Sequence, residues 1–582
     1  MPRYFIKYVF VVVCVFFATQ AGAQNKVGLR IVYKDSVNKI PYKHSVSKLY
    51  STQAEATAAV QNLLSYYYKQ GFLAASIDSL GGDSTQVVVY FYIGEKYRYL
   101  NLHKGNLDSY LLSEVGFKEK YFADRTFKYE EIIKLSEKLM SYCENNGYPF
   151  ASFRLDSVWI GDNTVDAAIN FTKNNKIIVD SLVLKGGCKI ARGYIYNYIG
   201  IKPGRLYDES AIAKINSRLR ELPFANLIKP SEVMFTDHDA KIFLYLDKKK
   251  ASKFYGILGI LPNNQTTGKI LINGELKLSL LNAFGHGEFI DLDWRSISKG
   301  TQDLKLNLAY PYLFGTPFGL NYKFTLYKKD TSYLTVDHNI GVQYFFNGQN
   351  HVKAFADIYK SNLLSSAGFE TITVLPDFAD VSANLFGVEV NFEKYDYKPN
   401  PVRGHQLFFS GAGGVKHIKK NSAINEVLYD SIQLKSNQFR LILNANLFVP
   451  LFKKTTLLLN TENGYIINNT IFDNELFKLG GLRSLRGFDE ESLRASYYNM
   501  FLFEMRYLFE KNSFFALFFN GAYYERNTQK AFVHDLPYGF GAGVQFDTKI
   551  GIFSLYYALG SQFGQTISFK QAKIHFGFTN SF

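Results

Sequence analysis

Residues 479–493 read LGGLRSLRGFDEESL and hold the densest grouping of chemically capable side chains in the chain. Arg486 stands beside Gly487 and Phe488, and Asp489, Glu490 and Glu491 follow directly. A guanidinium offers five N–H donors in a fixed fork and keeps its charge. Arg486 is therefore suited to pairing with a carboxylate. Three adjacent carboxylates could serve acid–base chemistry or hold a metal ion, but a charge run in a loop is most often solvated, and 489–491 is read that way. Gly480 and Gly481 supply backbone freedom where a turn or close approach requires it.

No other grouping points to catalysis. There is no Gly-x-Ser-x-Gly elbow, no His-Glu-x-x-His pair, no phosphate-cradling loop and no paired cysteines for zinc, and the ten histidines lack ligand spacing. The stretch GFGAGV (539–544) lacks the third fingerprint position of a dinucleotide site. Its glycines fit tight inner packing or a kink. The reading is of a protein that is not an enzyme, with no catalytic residues, no metal and no cofactor.

The segments around these residues alternate. In 302–315, Leu304, Leu306, Leu308 and Tyr310 interleave with Lys305, Asn307 and Ala309. In 438–450, Phe439, Leu441, Leu443, Ala445 and Leu447 interleave with Arg440, Ile442, Asn444 and Asn446. A period of two requires one apolar and one wet environment. Such segments recur from about residue 250 onward, separated by polar turns such as 262–268 and 468–470. That length suits roughly 16 membrane-spanning antiparallel strands. A soluble sandwich or propeller has no reason to keep aromatics abundant on its outer face, and Phe and Tyr number 52 and 42 here. Ile574, Phe576, Phe578 and Phe582 share one parity at the chain end, as a closing strand in lipid would.

Residues 27–249 follow another grammar. Helical faces are formed by Ala56, Ala59, Val60, Leu63, Leu64 and Tyr67, by Ile132, Leu135, Leu139 and Tyr142, and by Ile212, Ile215 and Leu219. A strand follows each, at 86–95, 165–172 and 241–247. Gly71 and Gly147 stand 76 residues apart, and Pro223 lies another 76 along. These are three α/β repeats, each expected to carry a helical pair.

At the N-terminus, Arg3 and Lys7 precede an apolar run, Tyr8 to Ala18, and then Ala21-Gly22-Ala23. This pattern predicts a secretory signal peptide over 1–23. No later run reaches about 20 apolar residues, which excludes a helical membrane protein. A mean hydropathy of −0.10 is compatible with a β-barrel, whose lipid-facing residues are diluted by lumenal ones. Outside the signal peptide the cysteines are Cys143 and Cys188, two separated thiols rather than a disulfide framework, with a single bridge as the alternative. The formal charge of +15 could favour anionic lipid or acidic partners, but a solvated surface accounts for it, and export argues against nucleic acid.

On these residues the chain resembles the BamA/TamA superfamily of outer-membrane assembly and translocation barrels, which includes two-partner-secretion exporters. The repeats look like periplasmic POTRA domains, with their Gly-aromatic step at Gly71-Phe72 and Gly147-Tyr148. Arg486, Gly487 and Phe488 match the family's Arg-Gly-Phe/Tyr loop motif. Three repeats make the chain more similar to the TamA type. The resemblance implies a signal peptide at 1–23, POTRA domains at 24–95, 96–175 and 176–249, and a transmembrane β-barrel at 250–582. It also implies that the loop folds into the lumen, where Arg486 meets Glu504. Asn520 stands where the family usually has an aspartate, which predicts a neutral hydrogen bond from it to Arg486. The barrel seam is expected between a first strand at about 254–261 and a last strand at about 570–582, at Phe254, Gly256, Phe576, Phe578 and Phe582.

The function that the resemblance implies is insertion of β-barrel or surface proteins into the outer membrane without nucleotide. The alternatives are an exporter of one dedicated protein and a passive channel. Implied partners are unfolded client proteins, membrane lipid and lipopolysaccharide, with a periplasmic, lipoprotein or inner-membrane protein left open. The implied location is the outer membrane of a Gram-negative cell, with the N-terminal domains in the periplasm.

Overall fold

The computed structural model describes residues 27–35, 49–83, 85–123, 125–126, 128–161, 164–261, 271–298, 300–482, 484–548 and 551–581. The signal-peptide residues, the polar turn 262–268 and Phe582 lie outside that set.

The first two repeats form one compact unit. In the first, Val27–Tyr33 pairs in parallel with Gln86–Tyr92, and Leu49–Tyr50 and Ser76–Gly82 flank them. Helix Gln53–Lys69 buries Ala56, Val60, Leu63 and Tyr67 against this sheet, one apolar face at helical spacing. Its first turn is closed by Thr52, whose side chain accepts from the Glu55 N–H. Residues 36–48 of this repeat lie outside the described set, and one helix of the expected pair is seen among the described residues. The second repeat has both helices, Ser109–Val115 and Tyr129–Glu144. Its buried face is Ile132, Leu135, Leu139 and Cys143. Tyr142 is turned partly outward and meets the Tyr110 hydroxyl instead. Gly71 and Gly147 both have φ near +90°, a conformation that demands glycine at the step after the helix.

The third repeat belongs to the same compact unit as the barrel. Strands Ile178–Lys185, Ala225–Leu227, Glu232–Phe235 and Asp239–Lys248 carry helices Arg192–Ile199 and Glu209–Glu221. The barrel turn at 311–317 docks onto it. Tyr312 inserts beside Tyr194 with ring centroids 5.3 Å apart, and its hydroxyl donates to the Gly348 carbonyl at 2.8 Å. Asn197 donates at 2.7 Å to both the Gly193 and Gly315 carbonyls. Cys143 and Cys188 are free and buried, and burial pushes both thiols up, so neither is a ready nucleophile.

Sixteen antiparallel strands then close a barrel. Among the described residues they grow from nine (Lys253–Leu261) to 18 (Lys435–Phe452) and shrink again to nine (Lys573–Ser581). A short extra strand, Phe532–Asp535, extends one hairpin. Outward positions are apolar and exposed: Ile340, Val342, Tyr344 and Phe346 on one strand, Phe515, Leu517 and Phe519 on another. Inward positions on the same strands include polar and small residues, Thr335 and Gln343 on the first and Ala516 and Asn520 on the second, together with the buried aromatics Phe345, Phe514 and Phe518. Lys353 is fully buried in the lumen and pairs with Glu389 at 2.7 Å. An apolar outside and a polar inside invert a soluble protein, and the ladders between neighbouring strands pair the backbone groups that would otherwise face lipid, except along much of the junction of the first and last strands.

Two strand expectations need correction. The last strand begins at Lys573, because Phe569–Gln571 form a helical turn capped by the Ser568 hydroxyl. The polar stretch 468–470 is not a simple turn between strands. It opens a long segment, 468–496, that folds into the lumen, where the Thr470 carbonyl accepts from Lys416 at 2.6 Å.

Candidate functional site

The inward segment connects strands Thr455–Ile467 and Tyr497–Leu508. A small hairpin, Phe477–Leu479 with Leu493–Ala495, forms its neck. Glu475 fixes one side through an ion pair with the fully buried Lys416, 2.6 Å away. Asn474 donates to Ser361 and to the Ala379 carbonyl, both at 2.8 Å. These buried polar contacts hold the backbone of the segment in one conformation.

The tip carries the Arg-Gly-Phe motif. Arg486 Nη1 donates to Glu504 Oε2, and Glu504 is completely buried. Glu504 also accepts from Arg506 Nε at 2.6 Å, so one carboxylate serves two guanidiniums. The Arg486 guanidinium lies 4.3 Å from the Tyr556 ring centroid and 4.8 Å from that of Phe518. Such faces attract a partly desolvated cation. Phe488 is buried among Leu479, Leu485, Leu493 and Tyr498.

Asn520 does not meet the guanidinium. Its amide donates to the Arg486 main-chain carbonyl at 3.3 Å. An ionised aspartate has no N–H to give a carbonyl, so the asparagine suits the acceptor it faces.

Glycines make this approach possible. Gly487 has φ +97°, and a Cβ there would come within 2.9 Å of the Leu559 and Gly560 backbone. A Cβ on Gly539, in GFGAGV, would lie 2.3 Å from the Arg486 carbonyl, and one on Gly560 would lie 2.6 Å from the Gly487 carbonyl. The loop therefore rests backbone to backbone on two strands of the wall. Gly480 and Gly481 take φ of +109° and +98°, and Ser484 Oγ accepts from the Gly480 N–H at 2.9 Å.

The acidic run is ion-paired, which its sequence reading does not include, although Asp489 and Glu490 stay exposed as that reading expects and only Glu491 is largely shielded. Glu490 and Glu491 reach Arg295 at 3.3 and 3.0 Å, and Asp489 reaches Lys573 at 2.8 Å. Arg295 and Lys573 went unrecognised, because nothing local in sequence links 295 to 490.

The seam is the weakest junction of the wall. The first strand pairs with the second along all nine residues, Lys253–Leu261. Among the described residues it pairs with the last strand at two positions, Lys253 with Ser581 and Phe254 with Asn580. Of the expected seam residues, Phe254 is paired across it. Gly256, Phe576 and Phe578 lie on the two strands beyond the paired stretch, and Phe582 is outside the described residues. A cavity of about 770 Å³ opens there, lined by Phe254, Tyr255, Arg295, Glu490, Phe576 and Phe578 among others. The paired end is the one that joins the third repeat, which ends at Lys248.

Among the described residues, no cluster of three or more metal-ligating side chains occurs. No curated protein shows significant similarity to the chain. Solved structures do. CdiB from Acinetobacter baumannii is 13% identical with a TM-score of 0.53, and the match covers 84% of this chain and 90% of that one. CdiB from Escherichia coli is 11% identical with a TM-score of 0.52, covering 91% and 97%. BamA from Haemophilus ducreyi lacking POTRA domains 1–3 is 15% identical with a TM-score of 0.43, covering 84% and 100%. The Omp85 superfamily domain matches residues 282–582, just over half of the sequence, and the chain belongs to the Omp85 superfamily of outer-membrane β-barrels.

Proposed function

We propose that this barrel inserts β-barrel or surface proteins into the outer membrane, with its N-terminal repeats in the periplasm receiving unfolded clients. The observation that carries the reading is the seam, where two strands of nine residues share two paired positions in front of a cavity. Unpaired strand edges are templates for another strand. A client strand pairing there gains main-chain hydrogen bonds while its apolar face enters lipid. That burial supplies the driving force, and no nucleotide is required.

A second feature supports client capture. Ser152–Ile160 is an edge strand of the second repeat, and it exposes Val158, Trp159 and Ile160. An extended peptide can add to such an edge with little demand on its sequence.

The test is depletion followed by quantitative proteomics of outer-membrane, periplasmic and secreted fractions. Loss of many unrelated barrels together is the expected result. Retention of one exported protein in the periplasm would establish a dedicated exporter instead. Unchanged protein composition with altered solute uptake would leave a channel.

A further inference from the structure

Three consecutive acidic side chains lie on the lumenal side of the seam, and the Arg486 tether does not account for them. Asp489 holds Lys573, on the last strand, at 2.8 Å. Glu490 and Glu491 both hold Arg295, on the third strand, at 3.3 and 3.0 Å. Arg295 is fixed further by Asp303 at 2.6 Å. One short piece of chain thus grips a strand on each side of the gap. The gap is the stretch where the first and last strands have parted after Phe254–Asn580. The same piece is anchored to the C-terminal half of the wall through Arg486 and Glu504.

We propose that residues 489–491 are a strap across the seam, holding its two sides together from within the lumen and setting how far they part. This rests on the seam reading given under the proposed function. The strap replaces, with side-chain ion pairs, the backbone ladder that the junction lacks. It is unequal along its length. Arg295 and Asp303 are buried and Glu491 nearly so, whereas the Asp489 side chain is 72% exposed. A buried, multiply paired guanidinium resists separation, and an exposed pair is weak and screened by salt. The strap is therefore firm at the third strand and loose at the last, so Lys573 is released first.

The test uses the full chain in bilayers of phosphatidylethanolamine and phosphatidylglycerol, with Cys143→Ala and Cys188→Ala. Spin labels are placed at Phe254→Cys and Phe576→Cys, which face outward on opposite sides of the seam. The distance distribution between them is measured by double electron–electron resonance. Glu490→Gln with Glu491→Gln is expected to broaden the distribution and lengthen its mean by several ångströms. Asp489→Asn is expected to have a smaller effect, reproduced in the parent by 0.5 M salt. Swapping the loose pair, Asp489→Lys with Lys573→Glu, is expected to restore the parental distribution. If the double glutamine variant does not fold, as judged by heat-modifiable migration, Arg295→Lys serves instead, since it keeps a charge for Asp303 but loses the fork. A folded variant with the parental distribution overturns the strap. The distances do not depend on what the barrel transports. A changed distribution with unchanged client levels on depletion would therefore keep the strap and remove the insertion reading.

Discussion

Arg486 and Glu504 meet inside the barrel, 18 residues apart in sequence, with the carboxylate wholly buried and the guanidinium set between two aromatic rings. Because Arg506 also holds Glu504, the two partners are not equivalent. Arg486→Ala leaves a carboxylate still paired and is expected to cost about 1–3 kcal/mol. Glu504→Ala leaves two guanidiniums facing each other without a counter-charge and is expected to cost about 3–5 kcal/mol. The temperature at which heat-modifiable migration is lost should fall further for Glu504→Ala. Equal losses would show that Arg506 contributes nothing.

Gly539→Ala should reproduce the Arg486→Ala phenotype without touching a charge. Its Cβ would meet the Arg486 carbonyl at 2.3 Å, and a main-chain carbonyl cannot rotate aside as a side chain can. Trypsin is expected to cut the inward segment of the variant in intact outer membranes and to spare the parent. Equal resistance would mean that the loop settles elsewhere in the lumen at little cost.

A disulfide between Phe254→Cys and Asn580→Cys should lock the seam. The two residues face each other in an antiparallel ladder, where the Cα separation of about 4.5–5.5 Å suits a disulfide. Oxidised cells are expected to stop inserting new barrels, and reduction should restore insertion. Continued insertion through a locked seam would move transport to the lumen.

Trp159→Lys should weaken client capture while leaving the barrel intact. The indole is 63% exposed on an edge strand, so lysine removes apolar area without opening a core. Cross-linking of an unfolded client to the second repeat is expected to drop several-fold, with the outer-membrane level of the protein unchanged.

Asp108 offers a pH signature outside the membrane. Its carboxylate accepts from the Leu111 N–H at 2.7 Å, capping helix Ser109–Val115, and pairs with Lys173 at 2.9 Å. The Leu111 N–H first, and then Lys173, hold it below the usual carboxylate range. A depressed folded-state pKa stabilises above the unfolded value of about 3.9, and the contribution is lost as pH falls through the folded value. Asp108→Ala is expected to cost about 1 kcal/mol at pH 7, the ordinary worth of a cap. The ratio of hydrogen-exchange protection over residues 109–116, parent to variant, should be roughly fivefold at pH 7 and fall toward one as pH drops from the unfolded value of about 3.9 through the lower folded value.

Much of the architecture could be read from the sequence, because it rests on local periodicity. Leu304, Leu306 and Leu308 alternate with Lys305 and Asn307 whatever the rest of the chain does, and the strand follows from that. Glu504 was reachable through its place after the loop. Arg295 was not, since its partners are nearly 200 residues away and no spacing rule connects them. The ion pairs of the acidic run were hidden for the same reason: they depend on which wall the run faces. The docking of Tyr312 onto Tyr194 and Tyr198 was equally invisible, because an aromatic after a proline in a turn carries no sign of a distant core. Asn520 was placed against the right residue but on the wrong atoms, a distinction that only the local backbone orientation decides.

The taper in strand length has a consequence for the surrounding bilayer. The nine described residues of each seam strand, at about 3.4 Å each and inclined by about 40°, rise about 23 Å, less than the roughly 25 Å apolar band of an outer-membrane barrel. The strands opposite, up to 18 residues long, rise nearly twice as far. Lipid beside the junction of the first and last strands must shorten to match the low wall, at some cost in acyl-chain packing. A wall of that described height calls for a dimple of compressed leaflets on one flank, before any passenger arrives.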